Sequence, residues 1–191
     1  MARLILASTS PYRRQLLARL GLPFETLSPV VDESARPDEP PAALARRLAR
    51  AKAESCAESG AIVIGSDQVA SLDGRILRKP ETSDRAVEQL LACQERTVDF
   101  YTAVTLIGRR SWLATVDHTR VTFRLLDETA IRNYVRAENP VDCAGGFKAE
   151  GLGIALFERI ESSDPTALMG LPLIWLSAAL RELGLDALKD A

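Results

Sequence analysis

The chain has 191 residues, of which 47% are hydrophobic and 26% charged, and its formal net charge is −2. That length suits one domain, or two closely packed lobes, with a large buried core, and the near-neutral balance argues against bulk electrostatic binding to nucleic acid. No stretch approaches the ~20 apolar residues of a membrane span, and Leu4–Ala7 is too short for the apolar core of a secretory signal. Cys56, Cys93 and Cys143 have neither zinc-site nor disulfide spacing, so a reducing cytoplasm is the expected setting. His118 is the only histidine, which leaves almost no room for a histidine triad or a multi-histidine metal site. Acid–base work then falls to carboxylates, and any metal is a hard, oxygen-bound cation such as Mg²⁺.

In chain order, Leu4–Ala7 reads as a short buried strand. Ser10 is an N-cap and Pro11 a first helical residue for a helix to Leu20, stopped by Gly21. Arg13 and Arg14 fall in its first turn, where the helix dipole is already positive. A solvated arginine pair is the plain alternative. The strand-to-helix setting, with hydroxyls and free amides beside two guanidinium groups, favours a phosphate cradle. Phe24–Leu27 reads as extended, and Val30-Val31 as a second short apolar run ending in Asp32-Glu33-Ser34. Arg36 to Pro41 is a loop, and Pro41 opens a helix to about Ser59 with Leu44, Leu48, Ala51 and Cys56 on its apolar face.

Ala61–Gly65 is a continuous apolar strand of the kind buried on both faces, with Ser66-Asp67-Gln68 expected at its carboxyl end. Asp73-Gly74 marks a hairpin. Ser83–Gln94 is a helix, and Val98–Ile107 and much of Trp112–Leu125 alternate like half-exposed strands around Gly108. Asp127 caps a helix that ends before Asn139-Pro140. Four glycines between Cys143 and Gly153 imply close backbone approach. Ile154–Ile160 is a strand, Asp164-Pro165 opens a short helix, and Pro172 begins a last one over Leu173–Leu183. The class is α/β with a mixed sheet.

Ligands of open α/β sheets bind beyond the carboxyl ends of strands. Asp67, beside a fully apolar strand, is the sharpest single candidate, with a structural cap as its alternative. Glu33 alone reads as loop, Lys52 as part of a solvated helix face rich in Arg46, Arg47 and Arg50, and Lys79 as an exposed loop lysine. Lys148 and Glu150, inside the glycine loop, are placed for a site role, with a structural turn as the alternative. His118 reads as a surface or core side chain. With neither GxxxxGK[ST] nor GxGxxG, any nucleotide cradle is of another kind. The inventory fits a metal-assisted phosphate enzyme, and a nucleotide-binding regulator almost as well.

Leu6-Ala7-Ser8-Thr9-Ser10-Pro11 with Arg13-Arg14, Val31-Asp32-Glu33, Arg47-Leu48-Ala49 with Lys52-Ala53, Gly65-Ser66-Asp67-Gln68-Val69, Lys79-Pro80, Cys143-Ala144-Gly145 with Phe147-Lys148, Glu150-Gly151 and Gly170-Leu171-Pro172 occur in this order. Together they resemble the Maf-like nucleoside triphosphate pyrophosphatases, nearly end to end. Ser66-Asp67-Gln68, Tyr12 and Phe100-Tyr101-Thr102 look like the subgroup acting on 7-methyl-GTP, whereas members preferring dTTP and UTP usually carry Ala-Asp-Thr. The resemblance implies one domain over residues 1–191. Its fold would be an elongated mixed sheet with flanking helices and two lobes around a cleft, similar to the inosine triphosphate pyrophosphatases. It implies hydrolysis of a nucleoside triphosphate to the monophosphate and pyrophosphate with a divalent cation, Mg²⁺ or Mn²⁺, and a homodimer is suggested by the family alone.

By the same resemblance Asp67 is the proton acceptor, and Tyr12, Gln68 and Glu150 govern substrate choice. Ser8, Arg13, Glu33, Lys52 and Lys79 are polar residues of the cleft. On that footing Arg13, Arg14, Lys52 and Lys79 would hold phosphates, and Glu33 and Asp67 the metal and the attacking water, with general base and metal ligand both open for Asp67. A cationic 7-methylguanine ring would be attracted by the Tyr12 face and the Glu150 carboxylate. Two departures stand out: Arg78 where the family usually has glycine, and Gly146 where the subgroup usually has serine. Two other readings are a pyrophosphatase for dTTP and UTP, and a nucleotide-binding regulator of cell division with little turnover.

Overall fold

The computed structural model describes residues 3–108 and 111–190. A seven-stranded mixed sheet organises it, from β1 (Arg3–Ala7), β2 (Glu25–Leu27), β3 (Ala61–Leu72), β4 (Arg75–Leu77), β5 (Thr97–Ile107), β6 (Trp112–Phe123) and β7 (Phe157–Glu161). The order is β2-β1-β3-β5-β6-β7, with β4 on β3. Only β1 runs parallel to its neighbours β2 and β3; the other pairings are antiparallel.

Alternation along the central strands sorts the core. One face carries Val69 and Ala103 against Leu44, Ala45, Leu48 and Ala49 of α2 (Pro41–Ser55). The other carries two separate apolar clusters. At one end Leu6, Ile64 and Val104 meet Leu16 and Leu17 of α1 (Pro11–Ala18) and Leu176 and Leu180 of α5 (Leu173–Glu182). At the other Ala70, Phe100 and Val121 meet Val87 and Leu90 of α3 (Ser83–Cys93) and Ile131 and Val135 of α4 (Glu128–Glu138). Between these clusters the same face carries Ser66, Gln68 and Thr102. A short α6 (Ala187–Asp190) follows.

Local chemistry accounts for the helix ends. Ser10 accepts the Arg13 amide, Thr82 the Arg85 amide and Asp127 the Ala130 amide, each at an N-cap. Pro172 caps α5 without a side chain, and buried Asp164 supplies one from a distance, taking the Ile174 amide at 2.6 Å. Asn139 closes α4 in the left-handed conformation.

Several elements differ from the sequence expectation. Val30-Val31 belongs to a loop, with Val30 89% exposed; neighbouring acids and prolines give this pair no strand partner. α2 ends at Ser55, not Ser59. Leu152–Leu156 is a 3-10 turn, so the strand begins only at Phe157. The largest difference concerns β3. Ser66-Asp67-Gln68 lie within a strand that continues to Leu72, because antiparallel β5 pairs with it from Val63 to Ser71.

Gly65 is where α2 presses onto β3. A Cβ there would stand 2.2 Å from the Ala49 carbonyl oxygen and 2.5 Å from the Ala53 nitrogen. Both are helix backbone, so the helix itself has to retreat. Gly65→Ala is expected to lower the unfolding free energy by about 1–3 kcal/mol, read from urea denaturation. A midpoint equal to that of the unmodified protein would show that α2 is free to shift.

Candidate active site

A strand has two edges, and β5 takes one edge of β3 along most of its length. The other edge is shared. β1 covers it from Ala61 to Gly65, and β4 takes it up again at Ala70. Ser66–Val69 therefore have an edge covered by neither strand. The chain leaves β1 at this point through Ser8–Ser10 into α1, and leaves β4 through Arg78-Lys79. A cleft of about 860 Å³ opens along the gap, bounded by Ser8–Arg13, Glu33, Lys52, Asp67-Gln68, Arg78-Lys79 and Glu150.

On the α2 side the site is a charge cluster. Lys52 is only 6% exposed, and its Nζ lies 2.6 Å from Asp67 Oδ1 and 2.7 Å from Glu33 Oε1. A buried ammonium has to be compensated, and two carboxylates do so here. Burial pushes the Asp67 carboxyl above its ordinary value despite the opposing attraction of Lys52 and Arg13, and the charge of Glu33 adds to the rise. Glu33, on the rim, moves the other way because the Lys52 ammonium donates to it. Arg13 joins the cluster with its pKa lowered by burial, an effect opposed by Asp67 and Glu33. Asp67 Oδ2 makes no hydrogen bond among the described residues and is not among the buried unpaired atoms, so it faces the cleft.

The loop bearing Glu33 is fastened to α2 by Arg47. Its guanidinium makes a fork to Glu39, at 2.7 and 2.8 Å, and reaches the Ser34 carbonyl at 2.8 Å. This fork holds the Glu39 carboxyl down at about 2. Ser8 is buried and its hydroxyl accepts the Ser10 amide at 3.1 Å, shaping the turn into α1.

On the opposite face Gln68 donates to Thr102 Oγ1 at 2.9 Å and to the carbonyls of Ala167 and Leu168 at 3.1 and 3.0 Å. The Gly170 carbonyl takes Arg13 Nε at 3.1 Å and Ser66 Oγ at 2.9 Å. Gly170 has φ of +105°, and a Cβ there would meet Arg13 Nε at 3.3 Å. Phe100 and Phe147 (ring centroids 5.3 Å apart, edge to face) form an apolar wall with Leu168 and Met169. At the mouth, burial pushes the Tyr12 hydroxyl up to about 12, and Cys143, Asp142 and Glu150 add to that shift.

A cleft with cations at one end and an aromatic, acid-lined wall at the other suits a molecule with an anionic and a ring-like part. The chain matches the Maf-like protein family over residues 3–183. It belongs to that family. Proteins named 7-methyl-GTP pyrophosphatase are among its relatives. That of Xanthomonas axonopodis pv. citri is 56% identical over 186 residues, covering 96% of this chain and 98% of the relative. That of Pseudomonas aeruginosa is 53% identical over 191 residues, covering 97% and 99%. A solved HAM1 protein from Coxiella burnetii superposes with a TM-score of 0.53 at 15% identity, over 95% of this chain and all of that one, which shows a shared fold.

The Maf-like motifs thus converge. Ser8, Tyr12, Arg13, Glu33, Lys52, Asp67, Gln68, Lys79 and Glu150 all border one cleft. Arg14 does not: it lies on the outer side of α1, beside a shallow depression with Pro11, Gln15 and Ala18. At 100° per residue along a helix, neighbouring arginines cannot both face inward. Lys52 corrects the solvated-face reading, since its helix face is the one that meets β3. Lys148 reaches the Glu138 carbonyl at 2.6 Å and so fastens the glycine loop to α4. His118 is half-exposed, stacked on Tyr101 and 2.7 Å from Asp99. Arg47, Ser66, Thr102 and Gly170 stand in the quoted motifs without an assigned role, and here they hold the site's loops and side chains in place. Arg78 is exposed on the cleft rim. Gly146 takes φ of +73°, and the Gln89 amide nitrogen, buried and unpaired, lies 3.4 Å from where a Cβ would stand.

The Asp67 shift has a stability consequence. Its proton is held more tightly in the folded than in the unfolded chain. The linked stability is therefore full below the ordinary value of 3.8 and is lost as pH rises through the elevated folded value. Asn mimics the protonated acid. Asp67→Asn is expected to be at least as stable as the unmodified protein at pH 7, and the advantage should shrink toward pH 4 in thermal melts. A variant clearly less stable at pH 7 would show that the ionised carboxylate is a net stabiliser.

Proposed function

We propose that this Maf-like protein hydrolyses 7-methyl-GTP to the monophosphate and pyrophosphate. The observation that carries the reading is the buried Lys52 ammonium shared by Asp67 and Glu33, in a cleft whose other end is aromatic and acidic. The names of the relatives point the same way.

In this reading the triphosphate lies along Arg13, Lys52 and Lys79, which neutralise charge as the α–β anhydride opens. Asp67 Oδ2 takes a proton from the attacking water. Desolvation makes the carboxylate a stronger base than in water, and the Lys52 bond to Oδ1 leaves the second oxygen free for it. The water oxygen bonds to the α-phosphorus, and the bond to the bridging oxygen breaks, releasing pyrophosphate. At the other end a cationic 7-methylguanine ring meets the Tyr12 face, worth about 0.5–2 kcal/mol, and the carboxylates of Glu150 and Asp142.

Glu33 and Asp67 offer hard oxygen donors, and no larger group of metal-ligating side chains is found among the described residues. Such a pair fits Mg²⁺ or Mn²⁺ arriving with substrate phosphates, because Mg²⁺ commonly uses one or two carboxylates plus phosphates. When bound, the ion supplies charge neutralisation and activates the water. In this reading the reaction belongs to the cytoplasm, a setting supported by Cys56, Cys93 and Cys143 as free thiols, which suit a reducing compartment; no described helix is long and apolar enough to cross a membrane.

Pyrophosphate release with Mg²⁺ across 7-methyl-GTP, GTP, dTTP, UTP and CTP tests the reading. Strong preference for 7-methyl-GTP is expected, with activity lost on chelation and regained with Mg²⁺. Preference for dTTP or UTP would keep the hydrolase and retire the base assignment, and binding without release would favour the regulator. Asp67→Asn should lower kcat by at least about 10²–10⁴-fold while the protein stays folded; an unchanged rate would remove Asp67 from the chemistry. Tyr12→Ala with Glu150→Gln should erode selectivity for 7-methyl-GTP over GTP.

A further inference from the structure

Gln68 lines the cleft, but its amide nitrogen is fully engaged. Three acceptors surround Nε2: Thr102 Oγ1 at 2.9 Å, the Leu168 carbonyl at 3.0 Å and the Ala167 carbonyl at 3.1 Å. An amide nitrogen has two hydrogens to share among them. Rotating the amide by half a turn would set Oε1 against two carbonyl oxygens with no hydrogen between. The network therefore admits one orientation.

The Thr102 hydroxyl decides its own role in the same way. Its single hydrogen goes to the Ala167 carbonyl at 3.0 Å, so toward Gln68 it accepts. Thr102 is 0% exposed, and no water can take over that position. The remaining Gln68 atom, Oε1, makes no hydrogen bond among the described residues and is not a buried unpaired atom.

We propose that Thr102, which accepts from Gln68 and donates to the Ala167 carbonyl, is a positioning residue that ties the Gln68 amide to the Ala167-Leu168 turn and so keeps its oxygen toward the cleft, where the base is read only as a hydrogen-bond donor. The inference rests on the nucleotide-binding reading of the cleft and deepens it. Guanine presents N–H donors at its ring nitrogen and exocyclic amine. A positive charge on the ring strengthens them, as in other charge-assisted hydrogen bonds. Cytosine presents an acceptor at its ring nitrogen and is rejected there, because an acceptor facing an acceptor leaves both unpaired.

The test uses the full-length protein with Thr102→Val, which keeps shape but not the hydroxyl, and Thr102→Ser, which keeps the hydroxyl. The first readout needs no substrate. The Gln68 side-chain NH₂ signals in a ¹H–¹⁵N spectrum, assigned by their loss in Gln68→Ala, should exchange with water measurably faster in Val than in the unmodified and Ser proteins, because the Ala167 carbonyl loses its Thr102 anchor. The second is kinetic. Val should raise KM for 7-methyl-GTP about tenfold with kcat within about twofold, leave CTP unchanged, and Ser should restore the original values. A folded Val variant with a protected Gln68 amide overturns the positioning role. A freed amide with unchanged KM overturns the donor readout. An unmodified protein that turns over no nucleotide refutes the proposed function instead, and the spectroscopic result stands apart from it. Should Val fail to fold, Thr102→Ala carries the test. It also lacks the hydroxyl that joins Gln68 to the Ala167 carbonyl, so the same rise in KM is expected, and an unchanged KM overturns the proposal.

Discussion

The interrupted edge of β3 is the constraint on which this molecule is built. One strand has β5 along one side and two short partners, β1 and β4, in succession on the other. Where the first partner has ended and the second has not begun, the strand edge is covered by neither, and side chains from both faces become accessible at one place. Parallel pairing with β1 brings the positive end of α1 to the gap, and the hairpin to β4 brings Arg78 and Lys79. The cleft is thus a consequence of strand lengths rather than an excavation between preformed bodies.

Once the gap exists, a charge has to be buried beside it. Lys52 reaches Asp67 only because α2 lies unusually close to the sheet, and it lies close because Gly65 and the alanines Ala49 and Ala53 remove side chains from the contact. Small residues here set a distance between backbones. The ionised Asp67 is disfavoured in that setting even with Lys52 and Arg13 nearby. A carboxylate with a raised proton affinity is a poor stabiliser and a good base, and the same burial produces both properties. Sites of this kind are expected to be locally unfavourable and held by the rest of the fold.

Much of this is legible in the chain itself. Ser10 and Pro11 specify the start of α1, Asp73-Gly74 the hairpin, and the apolar run from Ala61 the central strand. What is not legible depends on contacts between distant segments. Lys52 lies four residues beyond Leu48, on the apolar side of its helix, but among three arginines that spacing does not by itself tell a buried lysine from a solvated one. Asp67 looks like a residue beyond a strand, because the apolar run stops at Gly65; antiparallel pairing with β5 carries the strand onward through polar residues. Arg14 looks equivalent to Arg13 until helical rotation separates them. Thr102 is one threonine among several in alternating strands, and Gly170 one glycine among many. Their roles arise only when Gln68 and Arg13 arrive from elsewhere.

Successive residues of a strand point to opposite faces, and Asp67 and Gln68 are successive. Asp67 meets α2, Lys52 and the charge of Arg13; Gln68 meets Thr102 and the turn from Ala167 to Gly170. A nucleotide engaging both must cross the open edge of β3, with its phosphates on one face of the sheet and its base on the other. In the proposed reading the offset between the reacting end and the base reader is then set by one residue of extended backbone, about 3.3 Å, in the central strand of the sheet. Arg13 spans the two sides, pairing electrostatically with Asp67 and Glu33 while donating to the Gly170 carbonyl of the turn that orients Gln68. In the proposed reading one guanidinium therefore belongs to both ends of the cleft. Selectivity in such an arrangement enters through affinity for the ring, while Arg13 keeps the ring end and the phosphate end in register.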